Sequence, residues 1–382
     1  MRALSRTLVT VLAAVLGLVV APVAVESSPA TAATSFPLSG RGWGHGHGMS
    51  QYGAQGAATR GLTYRQIVNF YYPGTKVGTA GGAIRVLLTK ETRDVLVVGA
   101  QSGLSVRATG STTSYPLART GATHWMIAPT PDNATSRVWV AVKGTWTLVR
   151  QIKGQAEFVA PTLRLYTPSG SALYRGTLRS SVTGAHRDVV NVVPLEYYVR
   201  GVIAREMPSL WHAQALRAQA VAARSYAAFE RGSRTGARYD VDDTTRSQVY
   251  GGVAAETTQT NAAVTATRTE VRSYGGQPAF TQFSSSNGGW TTQGSRPYLV
   301  ARADLYDPVR TWTDTVTSAE LEKAWPSLGT ATRLQVVKRD GHGAGGGRVV
   351  TIRVIGTKRT IDVAGDTFRS YLGLKSTFFF LT

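Results

Sequence analysis

The first stretch whose residue types could do chemistry is "GRGWGHGHGMSQYGA", which runs from Gly40 to Ala54. It sets His45 and His47 one residue apart among glycines, which let a backbone bend sharply and approach a ligand closely. In such a loop the side chains of His45, His47, Ser50 and Gln51 offer hydrogen bonds to a bound molecule. A turn whose role is purely structural is the alternative interpretation.

Two other uses of this loop are less well supported by the sequence. A phosphate-binding loop is disfavoured, because the chain has no G-x-x-x-x-G-K-[ST] motif. A metal site needs at least a third ligand, and the remaining histidines, at 124, 186, 212 and 342, show no helpful spacing. We therefore predict neither a metal nor a cofactor.

A single glutamate, Glu206, stands where a helix is expected to end. Pro208 pushes Met207 away from helical geometry, so Glu206 falls in the last turn. The negative end of the helix dipole and apolar neighbours such as Ile203 both disfavour an ionised carboxylate. Both effects raise a pKa, as a general acid working near neutral pH requires. An exposed glutamate at a frayed helix end is the alternative.

Arg224 follows in an alanine-rich helix, within "AVAARSYA". Arg217, Arg224 and Arg231 lie seven residues apart and so share one stripe of that helix. Such a stripe is commonly a solvated face. Here, however, the small neighbours would let a ligand approach Arg224, with Tyr226 adding a polar contact.

The composition of the chain indicates where the protein acts and what kind of partner it binds. The chain has 382 residues, no cysteine and a formal net charge of +20. Residues 1–33 combine two arginines, an apolar run and a small-residue end, which predicts a cleaved signal peptide, a secreted protein and no membrane attachment after cleavage. The positive charge favours polyanionic partners. Nucleic acid is disfavoured, because no basic stripe carries interleaved stacking aromatics, and the acidic polymers of a cell wall fit better.

The sequence patterns that indicate helices and strands predict an α+β fold. The chain is expected to be antiparallel and β-rich, with a central helical pair that carries Glu206. Tyr64, Ile67, Val68 and Tyr71 are spaced as on a short helix. Short β-branched and aromatic runs predict a β-rich region over 81–182. Residues 187–231 are predicted to be helical, with Pro194 in a first turn, and residues 340–348 to form a hairpin loop.

The sequence from 193 to 227, "VPLEYYVRGVIAREMPSLWHAQALRAQAVAARSYA", resembles the signature of the SpoIID/LytB family of peptidoglycan proteins. "DDTTRSQVYGG", "FSSSNGGWT" and "FRSYLGLKSTFF" resemble its later blocks, and the Gly40–Ala54 stretch resembles its GHGVGMSQ block. In the family's usual order that block closes the domain, whereas here it lies near the N-terminus. Because such a relocation is cheap when chain ends lie close together, we predict that residues 40–54 pack beside the C-terminal strand 377–381.

The resemblance also implies a domain plan and an activity. Residues 34–80 would complete a SpoIID/LytB-like core at 183–382. The activity implied is a lytic transglycosylase of the cell wall that cleaves between N-acetylmuramic acid and N-acetylglucosamine in peptide-free glycan strands, with Glu206 as acid and base. A non-catalytic enhancer of a cell-wall amidase is the alternative. Sugar-contacting residues implied by the resemblance and the loop are Arg224, Tyr226, Ser247, Gln248, Ser286, His45, His47, Ser50 and Gln51.

Overall fold

A computed structural model of the chain describes residues 34–382, so the predicted signal peptide, 1–33, lies outside the described residues. The helices of the described part are α1 (Gln51–Thr59), α2 (Tyr64–Tyr71), α3 (Leu195–Glu206), α4 (Ala213–Ser233), α5 (Thr258–Ala266), α6 (Ser318–Ala324) and α7 (Gly365–Tyr371). Between residues 34 and 382 no helix is both long and apolar enough to cross a bilayer.

Twenty-two strands accompany these helices in the described residues. They are β1 (Ser35–Arg41), β2 (Met49–Ser50), β3 (Lys76–Thr79), β4 (Ala83–Leu87), β5 (Leu96–Gly99), β6 (Ser105–Ala108), β7 (Tyr115–Pro116), β8 (Ala122–Pro129), β9 (Thr135–Val142), β10 (Thr145–Lys153), β11 (Ala156–Thr167), β12 (Gly170–Thr183), β13 (His186–Pro194), β14 (Val241–Asp242), β15 (Glu270–Tyr274), β16 (Gln277–Pro278), β17 (Phe283–Ser284), β18 (Thr311–Thr317), β19 (Ala331–Arg339), β20 (Val349–Gly356), β21 (Thr360–Ala364) and β22 (Phe379–Leu381).

An eleven-stranded sheet dominates the fold, with the main order β10-β9-β8-β5-β11-β12-β13-β4-β14. Its pairings are antiparallel except for β14 on β4. Strand β12 runs through the predicted boundary at residue 182, and the sheet continues on both sides of it. With seven helices and mostly antiparallel sheets, the predicted α+β class is confirmed.

The predicted helical part, 187–231, begins too early. Residues 186–194 form β13, which pairs with β12 and β4, because this valine-rich run favours an extended backbone. Pro194 then caps α3, where it removes no helical hydrogen bond. The short helix α2 is confirmed, and Thr63 begins it with a capping box to Gln66.

Helix α4 lies at the centre of the helical layer and contacts α1, α2, α3, α5 and β15. Its alanines are buried on several sides, which allows these neighbours to approach closely. Helix α3 packs across α4, so the end of α3 is held by the most enclosed element of the fold.

Strand β1 joins the two ends of the described chain. It lies between β18 and β22 and pairs with both in antiparallel register. Ser376 Oγ also donates to the Arg41 carbonyl at 2.6 Å. The predicted packing of residues 40–54 beside the C-terminal strand is therefore confirmed at β1, and this pairing places the glycine-rich stretch that follows it.

Gly40 is the tightest point of this sheet, because a Cβ there would overlap the indole of Trp312 on β18. We expect Gly40→Ala to lower the free energy of unfolding by about 1–3 kcal/mol, the usual effect of overpacking. Denaturant unfolding followed by circular dichroism measures it. Gly81→Ala is the matched control, since a Cβ there meets nothing and the substitution should be neutral or slightly stabilising. Equal stability of the two variants would contradict the expected clash.

Candidate active site

Glu206 is the last residue of α3 and is half-buried. Met207 adopts an extended backbone ahead of Pro208, which ends the helix as expected. The Val249 backbone N–H donates to Glu206 Oε1 at 3.0 Å, and Gln51 Nε2 donates to Oε2 at 3.2 Å. Each carboxylate oxygen is therefore held by a different part of the chain.

Burial raises the pKa of Glu206, which confirms the direction predicted from the sequence. The hydrogen bonds from Val249 and Gln51 act in the opposite direction, because they stabilise the charged form. Burial dominates, so the carboxyl retains its proton more readily than an exposed glutamate does. This is the property required of a general acid near neutral pH.

Two cavities meet at Glu206. The first, the His45 cavity, has a volume of about 440 Å³ and is lined by Gly44, His45, Tyr226, Thr245, Arg246, Ser247, Gln282, Phe283, Ser284 and Arg369. The second, the Lys375 cavity, has a volume of about 470 Å³ and is lined by Gly42, Tyr52, Arg310, Thr311, Trp312 and Lys375. The residues that line both are Trp43, Gln51, Glu206 and Ser285.

The two histidines of the glycine-rich loop stack on each other, with ring centroids 5.0 Å apart. The His47 backbone N–H donates to His45 Nδ1 at 2.9 Å. Burial, aided by the charges of His47, Arg348 and Arg369, lowers the pKa of His45 to about 3, so its ring is neutral at physiological pH. Of the pair, His45 alone lines the cavity beside Glu206.

These histidines are not part of a cluster of ligating side chains. Within residues 34–382 no group of three or more His, Asp or Glu side chains is arranged to hold a metal ion. Since Nδ1 of His45 already accepts a hydrogen bond, the geometry favours a bent loop that presents a neutral imidazole to the cavity.

Arg224 does not line either cavity. Its side chain is completely buried and forms a bidentate ion pair with Glu196, at 2.9 Å for both contacts. It also donates to the Glu270 carbonyl at 3.0 Å. Arg224 therefore ties α4 to α3 and to the first residue of β15, and in this structure it supports the helices behind Glu206.

Three other residues predicted from the sequence are buried behind the cavities. Ser50 Oγ donates to Asp307 at 2.6 Å, and Ser286 Oγ donates to the other oxygen of that carboxylate at 2.9 Å. Gln248 accepts from the Tyr198 hydroxyl at 3.0 Å. Ser50 also caps α1 through the Gly53 N–H. These contacts hold the loops that carry the cavity walls.

Tyr226 and Ser247 do line the His45 cavity, and Gln51 lies on the shared wall. The ring of Tyr226 stacks on Phe280 with centroids 5.3 Å apart, which fixes its orientation. With His45, these three are the predicted binding residues that the structure brings together around Glu206.

Trp43, Arg310, Lys375 and Arg369 line the cavities but are not among the binding residues predicted from the sequence. Trp43 is 56% exposed, and the Lys375 ammonium lies 5.0 Å from the centroid of its ring. Arg310 lies over the ring of Tyr52, and Arg369 lines the opposite cavity. Two features of the sequence could have indicated these residues. Trp43 is an aromatic residue among glycines, and Arg369 and Lys375 are cations within "FRSYLGLKST".

Comparison with known proteins identifies the central part of the chain. Residues 183–274, which include α3, α4 and Glu206, match the profile of the SpoIID family, described as stage II sporulation protein. The chain is 41% identical over 130 residues to the amidase enhancer of Bacillus subtilis, and 32% identical over 223 residues to the stage II sporulation protein D of the same organism. The central part of the chain is therefore similar to the SpoIID/LytB family.

The extent of these matches differs between the relatives. The match to the amidase enhancer covers 32% of this chain and 17% of the enhancer. The match to stage II sporulation protein D covers 50% of this chain and 61% of that protein. An uncharacterized protein of Brachyspira hyodysenteriae is 37% identical over 142 residues, which is 39% of its length. The chain thus spans less than two thirds of each of these three relatives.

The raised pKa of Glu206 has a consequence for the stability of the protein. A carboxyl whose pKa is higher in the folded state favours folding at low pH, and this contribution is lost as the pH rises through the folded pKa. We therefore expect Glu206→Gln to be more stable than the wild type at neutral pH, with the difference shrinking as the pH falls towards 4. Urea unfolding at a series of pH values measures it, and a difference independent of pH would contradict it.

The buried pair Arg224–Glu196 should be critical for the helical layer. Glu196→Gln leaves the guanidinium of Arg224 buried without a counter-charge, which should cost about 3–5 kcal/mol in the free energy of unfolding. Glu230→Gln on α4 is the control, because its partner Arg234 is largely exposed and such pairs contribute less than about 1 kcal/mol. Thermal and urea unfolding measure the stability of both variants. Similar decreases in the free energy of unfolding would show that the buried pair stabilises the fold no more than the exposed pair does.

Proposed function

We propose that this protein is a secreted lytic transglycosylase, which cleaves the bond between N-acetylmuramic acid and N-acetylglucosamine in peptide-free glycan strands of peptidoglycan. One observation carries the proposal. Among the described residues that line the two cavities, Glu206 is the only acid, and it lies on the wall that the cavities share. A strand that occupies both cavities would pass directly over this carboxyl group.

A single carboxyl group suits this reaction better than hydrolysis. Glycoside hydrolases that use water ordinarily need two carboxylates flanking the bond. Asp242 and Asp243 do not supply the second, since neither lines these cavities, and each is held by nearby groups, Asp242 by Thr244 and Asp243 by Thr89. A sugar that uses its own hydroxyl as nucleophile needs only one group, which acts first as an acid and then as a base.

The proposed step balances without water. Protonated Glu206 donates its proton to the glycosidic oxygen as the bond from that oxygen to C1 of the muramic acid breaks. The resulting carboxylate accepts the proton of the C6 hydroxyl of the same sugar, whose oxygen forms the new bond to C1. The products are a strand with a 1,6-anhydromuramic acid end and a strand with a free 4-hydroxyl. Glu206 recovers its proton, and the hydrogen bonds from Val249 and Gln51 stabilise the transient carboxylate.

The surrounding side chains support sugar binding. Trp43 and Tyr226 offer ring faces, while Ser247, Gln51 and the neutral His45 offer hydrogen bonds. The net charge of +20 favours an acidic polymer as the partner, and the predicted signal peptide supports action at the cell wall. We assign Arg224, Ser50, Ser286 and Gln248 the supporting roles described above.

A second candidate function is enhancement of a cell-wall amidase, in which the cleft binds glycan strands without cleaving them. The observation that favours it is the identity of 41% over 130 residues with the protein named amidase enhancer. The two functions share the cleft and differ in whether Glu206 is needed.

Glu206→Gln separates them. We expect the wild type to release fragments ending in 1,6-anhydromuramic acid from peptide-free strands, and the variant to lose at least about 100-fold in rate because it has no transferable proton. Mass spectrometry of the digested strands measures the products. Glu230→Gln is the matched control, since this residue lies on α4 in a pair with Arg234 and lines neither cavity.

The outcomes are distinct. A Glu206→Gln protein that is folded and fully active would exclude the proposed role of this carboxyl group. Intact strands with the wild type, together with stimulation of a purified cell-wall amidase by both proteins, would favour the enhancer.

A further inference from the structure

The two cavities beside Glu206 each carry positive charge with little acid to neutralise it. Arg369 and Arg246 line the His45 cavity, whereas Arg310 and Lys375 line the Lys375 cavity. Arg246 is paired with Asp242 at 3.3 Å. In the described part of the chain, Arg369, Arg310 and Lys375 form no ion pair within 4.0 Å.

Arg369 is the most constrained of these cations. It lies on α7, its side chain is partly buried, and its Nε is buried without a hydrogen-bond partner. A guanidinium that has lost water from part of its fork gains most from an anion able to accept two hydrogen bonds. A carboxylate in the cavity would supply those acceptors.

Arg369 lines the His45 cavity together with Glu206. Its charge also helps to lower the pKa of His45 in the same cavity. An anion bound by Arg369 would therefore lie in the cavity that contains the acid.

The two cations of the Lys375 cavity each lie over an aromatic ring. Lys375 lies over Trp43 and Arg310 over Tyr52, at 5.0 and 4.3 Å from the ring centroids. Such contacts hold a cation in place and leave its remaining donors directed towards solvent or a ligand. Arg310 immediately precedes β18, and Lys375 lies between α7 and β22.

We infer that these two groups of cations bind carboxylates on opposite sides of the cleaved bond, with Arg369 on one side and Lys375 with Arg310 on the other. This inference rests on the proposed substrate. In a peptide-free strand every second sugar carries a lactyl carboxylate, so a strand lying across Glu206 presents carboxylates on both sides of the bond. The cations then fix the register that brings the correct one of the two alternating bonds to the acid.

The test compares peptide-free strands with the same strands after their carboxylates have been converted to methyl amides. Binding is measured by calorimetry in the Glu206→Gln background, which avoids turnover, and cleavage is measured with Glu206 intact. We expect the amidated strands to bind at least about tenfold more weakly, as for the loss of a charge-assisted hydrogen bond. Arg369→Gln and Lys375→Gln should each weaken binding of the carboxylated strands and leave binding of the amidated strands unchanged.

Two further variants distinguish the loss of carboxylate binding from a general disturbance of the structure. Arg369→Lys keeps the charge and should restore part of the affinity, and Arg333→Gln removes an exposed cation of β19 outside both cavities and should have no effect. The inference is overturned if the protein with unchanged cavity cations binds carboxylated and amidated strands equally well. It is also overturned if Arg369→Gln lowers the affinity for both kinds of strand by the same factor. Preferential binding of carboxylated strands without cleavage by Glu206 would retain the inference and reject the transglycosylase. Cleavage of carboxylated and amidated strands at equal rates would support the transglycosylase activity and reject the inference about carboxylate binding.

Discussion

The pairing of β1 with β22 and β18 is the interaction on which the candidate site depends. It anchors the stretch that contains the glycine-rich loop and leads into α1, where Gln51 begins the helix. Without this anchor, the shared wall of the cavities would lose Trp43 and Gln51 together. Backbone hydrogen bonds from Arg41 to Phe378 and from Gly44 to Lys375 extend the same connection beyond the strands. One small sheet thus positions residues from three distant segments around a glutamate contributed by a fourth.

Opposing effects act on the pKa of Glu206, and burial is the largest of them. Partial burial favours the neutral acid, and two neutral donors favour the carboxylate. Neither donor carries a charge, so the carboxylate is stabilised without being locked in its ionised form. The buried pair of Arg224 on α4 and Glu196 in the first turn of α3 gives α3 a rigid support. A group that must hold a proton at one stage and accept one at the next needs this kind of environment.

Much of the fold could be predicted because its signals are local. The spacing of Tyr64, Ile67, Val68 and Tyr71 suffices for α2, and Pro208 is enough to end α3 at Glu206. The order of the motifs indicated that the two chain ends meet. The valine-rich run before Pro194 was wrongly predicted as helix, although its β-branched residues favour an extended backbone. It pairs with the preceding strand β12 and with the distant strand β4, and the second pairing is not visible in a local pattern.

The site was harder to predict than the fold, and arginine shows why. A stripe of three arginines seven apart does not reveal which one faces solvent, and Glu196, the partner that buries Arg224, lies 28 residues away. Ser50 and Ser286 fit a binding loop by residue type, yet both donate to Asp307, which the sequence did not mark. Arg369 reaches the cavity only through the packing of α7. Residue type was informative, whereas orientation depended on partners far along the chain.

The pairing of β1 with the C-terminal strand also has a consequence for timing. The hydrogen bond between Ser376 and Arg41 joins residues 335 positions apart, so the sheet that completes the cleft closes only after nearly all of the described chain has become available. During synthesis α3 and α4 can pack early from local contacts, with Glu206 in place but lacking Gln51 and the shared wall. The candidate site is therefore complete only once β22 has paired with β1.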